Sequence, residues 1–249
     1  MKRLVLVVVV VALAGCGSSV PGGPGSVQED GIGEVNGVTS DSDLDIDPSD
    51  GFTEAELEQL VNRSMARIEV VRDLNYKRPV NVTIVNRSEY REQYVDRVTG
   101  PTHPEWENQI WRGLFIVGQD RNATDVLDEA FGGAVQGFYE PGQNSIVIVS
   151  DSETPTVRKQ TLIHELTHAL QDQQFGLAFG QETRDQQAAY DTLIEGEAEL
   201  VSKLYLDRCG DEWSCVRPDV DTSQAGDLDR GIAQIITQPY RQGIGFVEQ

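Results

Sequence analysis

Two histidines stand four residues apart in the segment TLIHELTHALQDQQ, residues 161 to 174, and a glutamate directly follows the first of them. On a helix, residues four apart leave from one face, so the imidazoles of His164 and His168 can reach one metal ion at ~2.0–2.1 Å. Glu165 then points about 100° round the helix, where it can accept a proton from water without binding the metal. Because the chain has only three histidines, this pattern predicts a zinc site rather than a chance pairing.

A catalytic zinc site needs a third protein ligand. Positions 171 and 174 are glutamines, which excludes a third ligand just downstream in the same run. Asp172 lies four residues after His168 on the same helix face. On a straight helix it is too far along the axis to complete a tetrahedral metal site, so we expect it to hydrogen-bond a ligand rather than the metal. The best candidates are Glu195 and Glu199, four residues apart in TLIEGEAEL on a second predicted helix. The alternative for that segment is a solvated acidic helix.

Helices and short strands are predicted around these residues. Helices are expected at 53–74, 88–98, 105–117, 123–131, 155–172 and 185–207, a strand at 80–85, and a β-hairpin in AVQGFYEPGQNSIVIVSD. Thr53 and Glu56 form a capping box at the first helix, and Thr154 with Pro155 is expected to start the helix that carries the histidines. This order of elements predicts an α+β domain.

The composition is strongly acidic. Asp and Glu number 41 against 20 Lys and Arg, which gives a formal net charge of −21. Such a surface repels phosphate groups, so it excludes nucleic acid as a partner and disfavours acidic substrates. Because the charge is spread along the whole chain, the composition favours a halophilic protein, whose self-repulsion high salt screens. An ordinary acidic surface with a disordered arm is the alternative.

The N-terminal sequence has the pattern of a lipoprotein signal peptide. Residues 1–15, MKRLVLVVVVVALAG, combine two basic residues with an apolar run too short to span a bilayer, and Cys16 follows small residues as in a lipobox. We therefore expect lipid on Cys16 and a protein anchored at the extracellular face of the cell membrane, rather than one with a plain secretory signal. Outside the cell, Cys209 and Cys215 are expected to form a disulfide.

The remaining chain divides into a tether and a domain. Residues 16–51 are rich in Gly, Ser, Pro and Asp, which predicts a disordered acidic tether. The folded domain is expected over 52–249. Its last residues, GIGFVEQ, are apolar and carry no helix-stop signal, so we expect further chain to belong to this domain.

The two motifs in this order, HELTH at 164–168 and EGEAE at 195–199, resemble those of the gluzincin metallopeptidases, especially the small minigluzincin domains. They are also similar to HExxH surface lipoproteins of halophilic archaea. The resemblance implies a zincin-like α+β domain in which His164, His168 and Glu195 bind zinc, Glu165 is the general base, and Glu199 supports a histidine ligand. It further implies a zinc-dependent peptidase, specifically an endopeptidase. Such an enzyme is expected to bind its substrate backbone along strand 145–149.

The chain departs from that family in two respects. The gap between the motifs is longer, and no further histidine near them offers a transition-state donor, since His103 is expected in a distant loop. The tyrosines that can serve as donors instead are Tyr139, Tyr190, Tyr205 and Tyr240. The alternative function is a non-catalytic zinc-binding surface or adhesion lipoprotein. An intact Glu165 disfavours it, because a purely structural zinc site has no use for that residue.

Overall fold

A computed structural model describes residues 31–95, 104–177, 181–216 and 230–249. The elements in chain order are β1 (Glu34–Val35), β2 (Val38–Thr39), α1 (Glu54–Arg72), β3 (Asn81–Val85), α2 (Arg87–Tyr90), α3 (Pro104–Gly113), α4 (Ala123–Ala134), β4 (Gly137–Glu140), β5 (Ser145–Val149), α5 (Lys159–Phe175), α6 (Arg184–Asp207) and α7 (Arg230–Val247). The predicted α+β class is confirmed. Within these ranges, no helix has the length and apolarity that a bilayer crossing requires.

The main sheet has three strands in the order β3–β5–β4. β3 runs parallel to β5, and β4 runs antiparallel to it as the predicted hairpin. All five residues of β5 are buried. Because both edges of β5 are paired, the prediction that strand 145–149 binds a substrate through its edge is wrong. The outer edges of this sheet belong to β3 and β4.

Helix α5 packs against one face of the sheet, and α1 and α6 pack on α5 and on each other. Their apolar side chains join those of Tyr139, Ile146 and Ile148 in the largest hydrophobic core. A smaller cluster covers the opposite face, with Tyr90 packed on Val147 and Val149. The capping box of Thr53 and Glu56 forms as predicted at the start of α1. The two histidines therefore lie on a helix that is fixed from two sides.

The start of α5 differs from the prediction. The helix begins at Lys159, and the residue before it makes no side-chain capping bond. The hydroxyl of Thr154 instead donates to the carbonyl of Asp50 at 2.9 Å, and the Pro155 carbonyl accepts from the amide of Phe52 at 3.1 Å. Thr154 and Pro155 thus tie the loop to the chain that enters α1, and they are not available to cap a helix.

Residues 31–51 are folded, so the prediction of a disordered tether is wrong for this part; residues 16–30 lie outside the described ranges. Val35 is fully buried. The guanidinium of Arg67, on α1, donates to the carbonyl of Ser40 at 2.7 Å and lies 4.9 Å from the ring centre of Trp213. Arg63, one turn earlier, donates to the Ser42 carbonyl at 3.2 Å. Two buried arginines therefore fasten this N-terminal arm to α1.

The other helices of the predicted set are also present, with different bounds. The segment 88–98 forms the short α2 and a π-helical turn, Arg91–Val95, and residues 96–98 lie outside the described ranges. The segment 105–117 is helical only to Gly113, and α4 continues three residues past the predicted 131. α6 matches its prediction closely and ends beside the predicted disulfide, Cys209–Cys215.

Helix α7 crosses α6 with almost no space between the two backbones. A Cβ atom added to Gly196 of α6 would lie 2.4 Å from the Cα of Gly243, and one added to Gly243 would lie 2.2 Å from the Thr192 carbonyl oxygen. Only glycine allows this approach. The crossing sits directly beside Glu195, so it places α7 over the predicted metal ligands.

Candidate metal centre

Helices α5 and α6 bring three potential ligand atoms together. The Nε2 atom of His164 lies 2.9 Å from Oε2 of Glu195 and 3.1 Å from Nε2 of His168. The Nε2 atom of His168 lies 3.3 Å from the same carboxylate oxygen. Both imidazoles are buried, and Glu195 is partly buried. The three residues that the two motifs single out therefore share one point in space.

This set fits zinc. In a tetrahedral site with bonds of ~2.0–2.1 Å, neighbouring ligand atoms stand ~3.4 Å apart. The three observed separations of 2.9, 3.1 and 3.3 Å need only a small outward movement to reach that value. Two imidazole nitrogens and one carboxylate oxygen are also a donor set that catalytic zinc uses, and they leave a fourth position for water.

Glu165 lies next to this set without belonging to it. Its Oε2 atom accepts a hydrogen bond of 2.8 Å from the backbone amide of Tyr139 in β4. Burial raises the pKa of the Glu165 carboxyl, although the neighbouring histidine charges act in the opposite direction. A carboxylate held at the wall of a cavity, with its pKa moved towards neutrality, is suited to accept and return a proton.

Glu199 lies behind His164, as the gluzincin resemblance implies. Its Oε2 atom is 3.7 Å from Nδ1 of His164, and its Oε1 atom accepts from the amide of Gln160 at 3.0 Å. Asp172 takes no part in this support, contrary to the prediction. Its oxygens accept from the Tyr139 hydroxyl at 2.8 Å and the Leu177 amide at 3.1 Å. One turn beyond His168, Asp172 has already passed the ligands and faces β4.

The residue that supports His168 is Gln171, a position at which a third ligand was excluded above and no other role was predicted. Its side-chain oxygen lies 2.8 Å from Nδ1 of His168 and can accept only from a protonated Nδ1. Its amide nitrogen donates to the Ile194 carbonyl at 3.0 Å and to Glu197 at 2.9 Å. These two bonds fix which end of the amide faces the imidazole. When His168 is neutral, its Nε2 atom therefore carries the lone pair and faces the other candidate ligands. The sequence signal for this role is the position of Gln171, three residues after His168 on the same helix face.

Without a metal, the surroundings of His164 favour its protonated form. Burial lowers the pKa of His164, but the hydrogen bond to Glu195, the nearby carboxylate of Glu199 and the other negative charges outweigh it and raise this pKa to about 10. Burial likewise opposes charge on Glu195, yet its hydrogen bonds to both histidines lower the pKa of its carboxyl. The metal-free site therefore holds at least one imidazolium at neutral pH.

Of the four candidate tyrosines, Tyr240 on α7 is the one stacked on a ligand. Its ring centre lies 5.4 Å from that of His164. Burial and the charges of Glu195 and Glu165 raise the pKa of its hydroxyl far above the usual range, so it remains a hydrogen-bond donor. Tyr190 lines the same cavity, Tyr205 is buried in the core beside Trp213, and the Tyr139 hydroxyl is bonded to Asp172. His103 lies outside the described residues.

A cavity of about 730 Å³ opens beside the three ligands. Glu165, His168, Glu195 and Tyr240 are among the residues that line it. The remainder is mostly aromatic and aliphatic, with Tyr90, Tyr94, Phe131, Val135, Phe138, Leu177 and Ile194 among the lining residues. An apolar cavity that converges on a few polar groups is typical of a binding site for an organic substrate.

No protein-family model, no curated protein and no solved structure matches this chain. The predicted lipidation site, Cys16, lies outside the described residues, together with the whole signal segment.

Proposed function

We propose that this protein is a zinc-dependent peptidase with a zincin-like domain of the gluzincin type. The observation that carries the proposal is the convergence of His164, His168 and Glu195 beside a fourth group, Glu165, that lies at the cavity wall and outside the ligand set. A purely structural zinc site is closed by four protein ligands, whereas the described part of the chain supplies three here, beside a cavity.

Zinc in such a site acidifies a water molecule and polarises a carbonyl oxygen. Glu165 takes the proton of the attacking water and passes it to the leaving amine. Burial favours this exchange because it raises the pKa of the Glu165 carboxyl, which brings proton acceptance and proton donation closer in energy. The Tyr139 amide keeps the same carboxylate in place.

No strand in the described ranges pairs with the outer edge of β4, and this edge is suited to bind an extended peptide backbone through Gly137 and the Tyr139 carbonyl. The amide of Val149 donates to the Gln136 carbonyl, so residues 136 and 138 point their backbone groups towards β5. The backbone groups of Gly137 and Tyr139 therefore point to the outer edge, where the Tyr139 amide already meets Glu165. A peptide paired there would pass directly in front of the three ligands.

Tyr240 is suited to stabilise the oxyanion that forms when water attacks the carbonyl. Its hydroxyl is a permanent donor, because burial and two carboxylates raise its pKa. Oxyanion donors of this kind contribute roughly 3–4 kcal/mol to transition-state stabilisation. We also propose that lipid on Cys16 anchors the protein at the extracellular face of the membrane, which would supply it with extracellular peptides and proteins.

The decisive experiment is casein or peptide cleavage in high salt by the full-length protein and by Glu165→Gln. We expect the variant to retain zinc and to lose activity by at least ~10²–10⁴-fold, because the substituted amide cannot accept the proton. Metal content is measured in both proteins, so that lost activity is not confused with lost zinc.

Glu195→Ala is the companion variant, and we expect it to bind zinc far more weakly than the wild type. Unchanged zinc content would contradict the ligand set. A wild type that binds one zinc per chain and cleaves nothing would favour the non-catalytic zinc-binding surface module.

A further inference from the structure

The cavity beside the metal centre continues round the free edge of β4 to the other face of the sheet. Tyr139 belongs to the core on the α5 side, whereas its neighbour Phe138 packs on the opposite side with Tyr90. Both line the same cavity, together with Glu165 and Tyr94. The cavity therefore joins the predicted zinc site to an aromatic cluster that the proposed chemistry does not use.

The aromatic cluster is built from three rings in mutual contact. The ring centres of Tyr94 and Phe138 lie 4.9 Å apart in an edge-to-face arrangement, and Tyr90 lies 5.9 Å from Phe138 and 6.0 Å from Tyr94. Tyr90 is buried, but Tyr94 and Phe138 keep part of their surface in the cavity. Their exposed ring surface offers further edge-to-face contacts to an incoming side chain.

Strand pairing relates this cluster to a bound peptide. Successive side chains of an extended peptide point to opposite faces of a sheet. A peptide paired with β4 would direct one set of side chains to the face of Tyr139 and α5, and the alternate set to the face of Phe138. A side chain of the second set would stand next to Phe138 as its same-face neighbour across the strand pair.

We infer that this cluster, Tyr90, Tyr94 and Phe138, is a subsite for one large aromatic side chain of the substrate. The favoured substrates are extended peptides in which a Tyr, Phe or Trp stands at one fixed position relative to the cleaved bond. This inference rests on the proposed function for the direction of the peptide along β4. Small side chains would leave the apolar space unfilled, and charged ones would lose their hydration there.

The inference is tested by binding, which does not require cleavage. Zinc-loaded Glu165→Gln protein is titrated with fluorescent alanine-based peptides in which a single tyrosine is moved through every position, and anisotropy reports the affinity. We expect one position to bind roughly tenfold or more tightly than the all-alanine peptide, because it buries an aromatic ring. Glutamate at that position should give no gain.

Two variants locate the gain in the cluster. Tyr94→Ala and Phe138→Leu should each reduce the ratio of tyrosine-peptide to alanine-peptide affinity. Trp106→Ala, which removes an exposed ring on α3 outside the cavity, should leave this ratio unchanged. The ratio is the readout because a partly unfolded sample binds neither peptide and lowers both signals together.

The outcomes separate this inference from the proposed function. Equal affinity for all peptides, no detectable binding of any of them, or a tyrosine preference that survives both variants would overturn the aromatic subsite. A wild type that cleaves peptides without aromatic preference would do the same while leaving the peptidase proposal intact. Preferred binding of one tyrosine peptide, with no cleavage by the wild type, would support the subsite and contradict the peptidase.

Discussion

At the scale of single residues, the two histidines proposed as zinc ligands are held by different side chains. His164 has a carboxylate, Glu199, near its Nδ1 atom, whereas His168 has the neutral amide of Gln171 at 2.8 Å. The amide is itself oriented by Glu197, which pairs with Arg72 of α1. His168 is therefore connected through two side chains to the helix that anchors the core.

We expect Gln171→Leu to weaken zinc binding by ~10–100-fold, the usual cost of losing such a supporting bond, because the imidazole of His168 would no longer be held with Nε2 towards the metal. Competition with a chromophoric chelator measures this affinity. Gln171→Glu keeps an acceptor at Nδ1 but places a carboxylate against Glu197 and the Ile194 carbonyl, so it should recover only part of the affinity. Gln174→Leu is the matched control on the same helix, since that side chain is half-buried and donates to the Asn75 carbonyl, away from the histidines. Equal affinities in all four proteins would contradict the supporting role.

Zinc binding at the proposed site would require the loss of a proton from His164. In the metal-free protein the pKa of His164 is raised to about 10, so its imidazole is protonated at pH 7 and must lose that proton to bind zinc. We expect calorimetry in buffers of different ionisation enthalpy to show release of about one or more protons per zinc at pH 7. Zinc affinity should rise with pH until His164 is neutral without metal. A pH-independent affinity between pH 6 and 9 would contradict a protonated metal-free site.

At the scale of elements, the crossing of α6 and α7 positions Tyr240 over the ligands. We expect Gly243→Ala to lower stability by at least ~1–3 kcal/mol, because its Cβ would overlap the Thr192 carbonyl. Gly245→Ala on the same helix meets nothing within 4 Å and should be neutral or slightly stabilising. Thermal unfolding measures both. Equal melting temperatures would show that the two helices are not in backbone contact.

The elements that sequence could predict are those whose signals are local. The histidine spacing, the second glutamate motif and the capping box of Thr53 each depend on neighbours within one or two helical turns. The start of α5 could not be predicted, because Thr154 is bonded to Asp50 far away in the chain. The place of β5 in the sheet depends on its pairing with β3, more than 60 residues earlier, and the apolar sequence of β5 does not reveal that partner. The N-terminal arm is held by arginine bonds to backbone carbonyls, which composition does not show.

At the scale of the whole molecule, the net charge of −21 opposes the folded state. Folding brings carboxylates closer together, and their repulsion at low ionic strength is not screened over the ~10 Å or more that separates many of them. The described N-terminal arm adds a run of acidic side chains, DSDLDID, on the surface of an already acidic domain. This charge distribution predicts a protein whose stability depends on salt.

We expect the melting temperature to rise steeply with added salt up to about 1 M, where the Debye length has fallen to ~3 Å and further screening has little effect. Excluded salts also stabilise proteins by strengthening apolar burial, so the anion must be varied. Chloride and thiocyanate screen equally at equal ionic strength, but only an excluded anion strengthens burial. If screening is the cause, both potassium salts should raise the melting temperature equally at low concentration. The melting temperatures in the two salts should differ only at higher concentration. A rise with chloride and a fall with thiocyanate from the first additions would show that charge repulsion does not limit the stability of this protein.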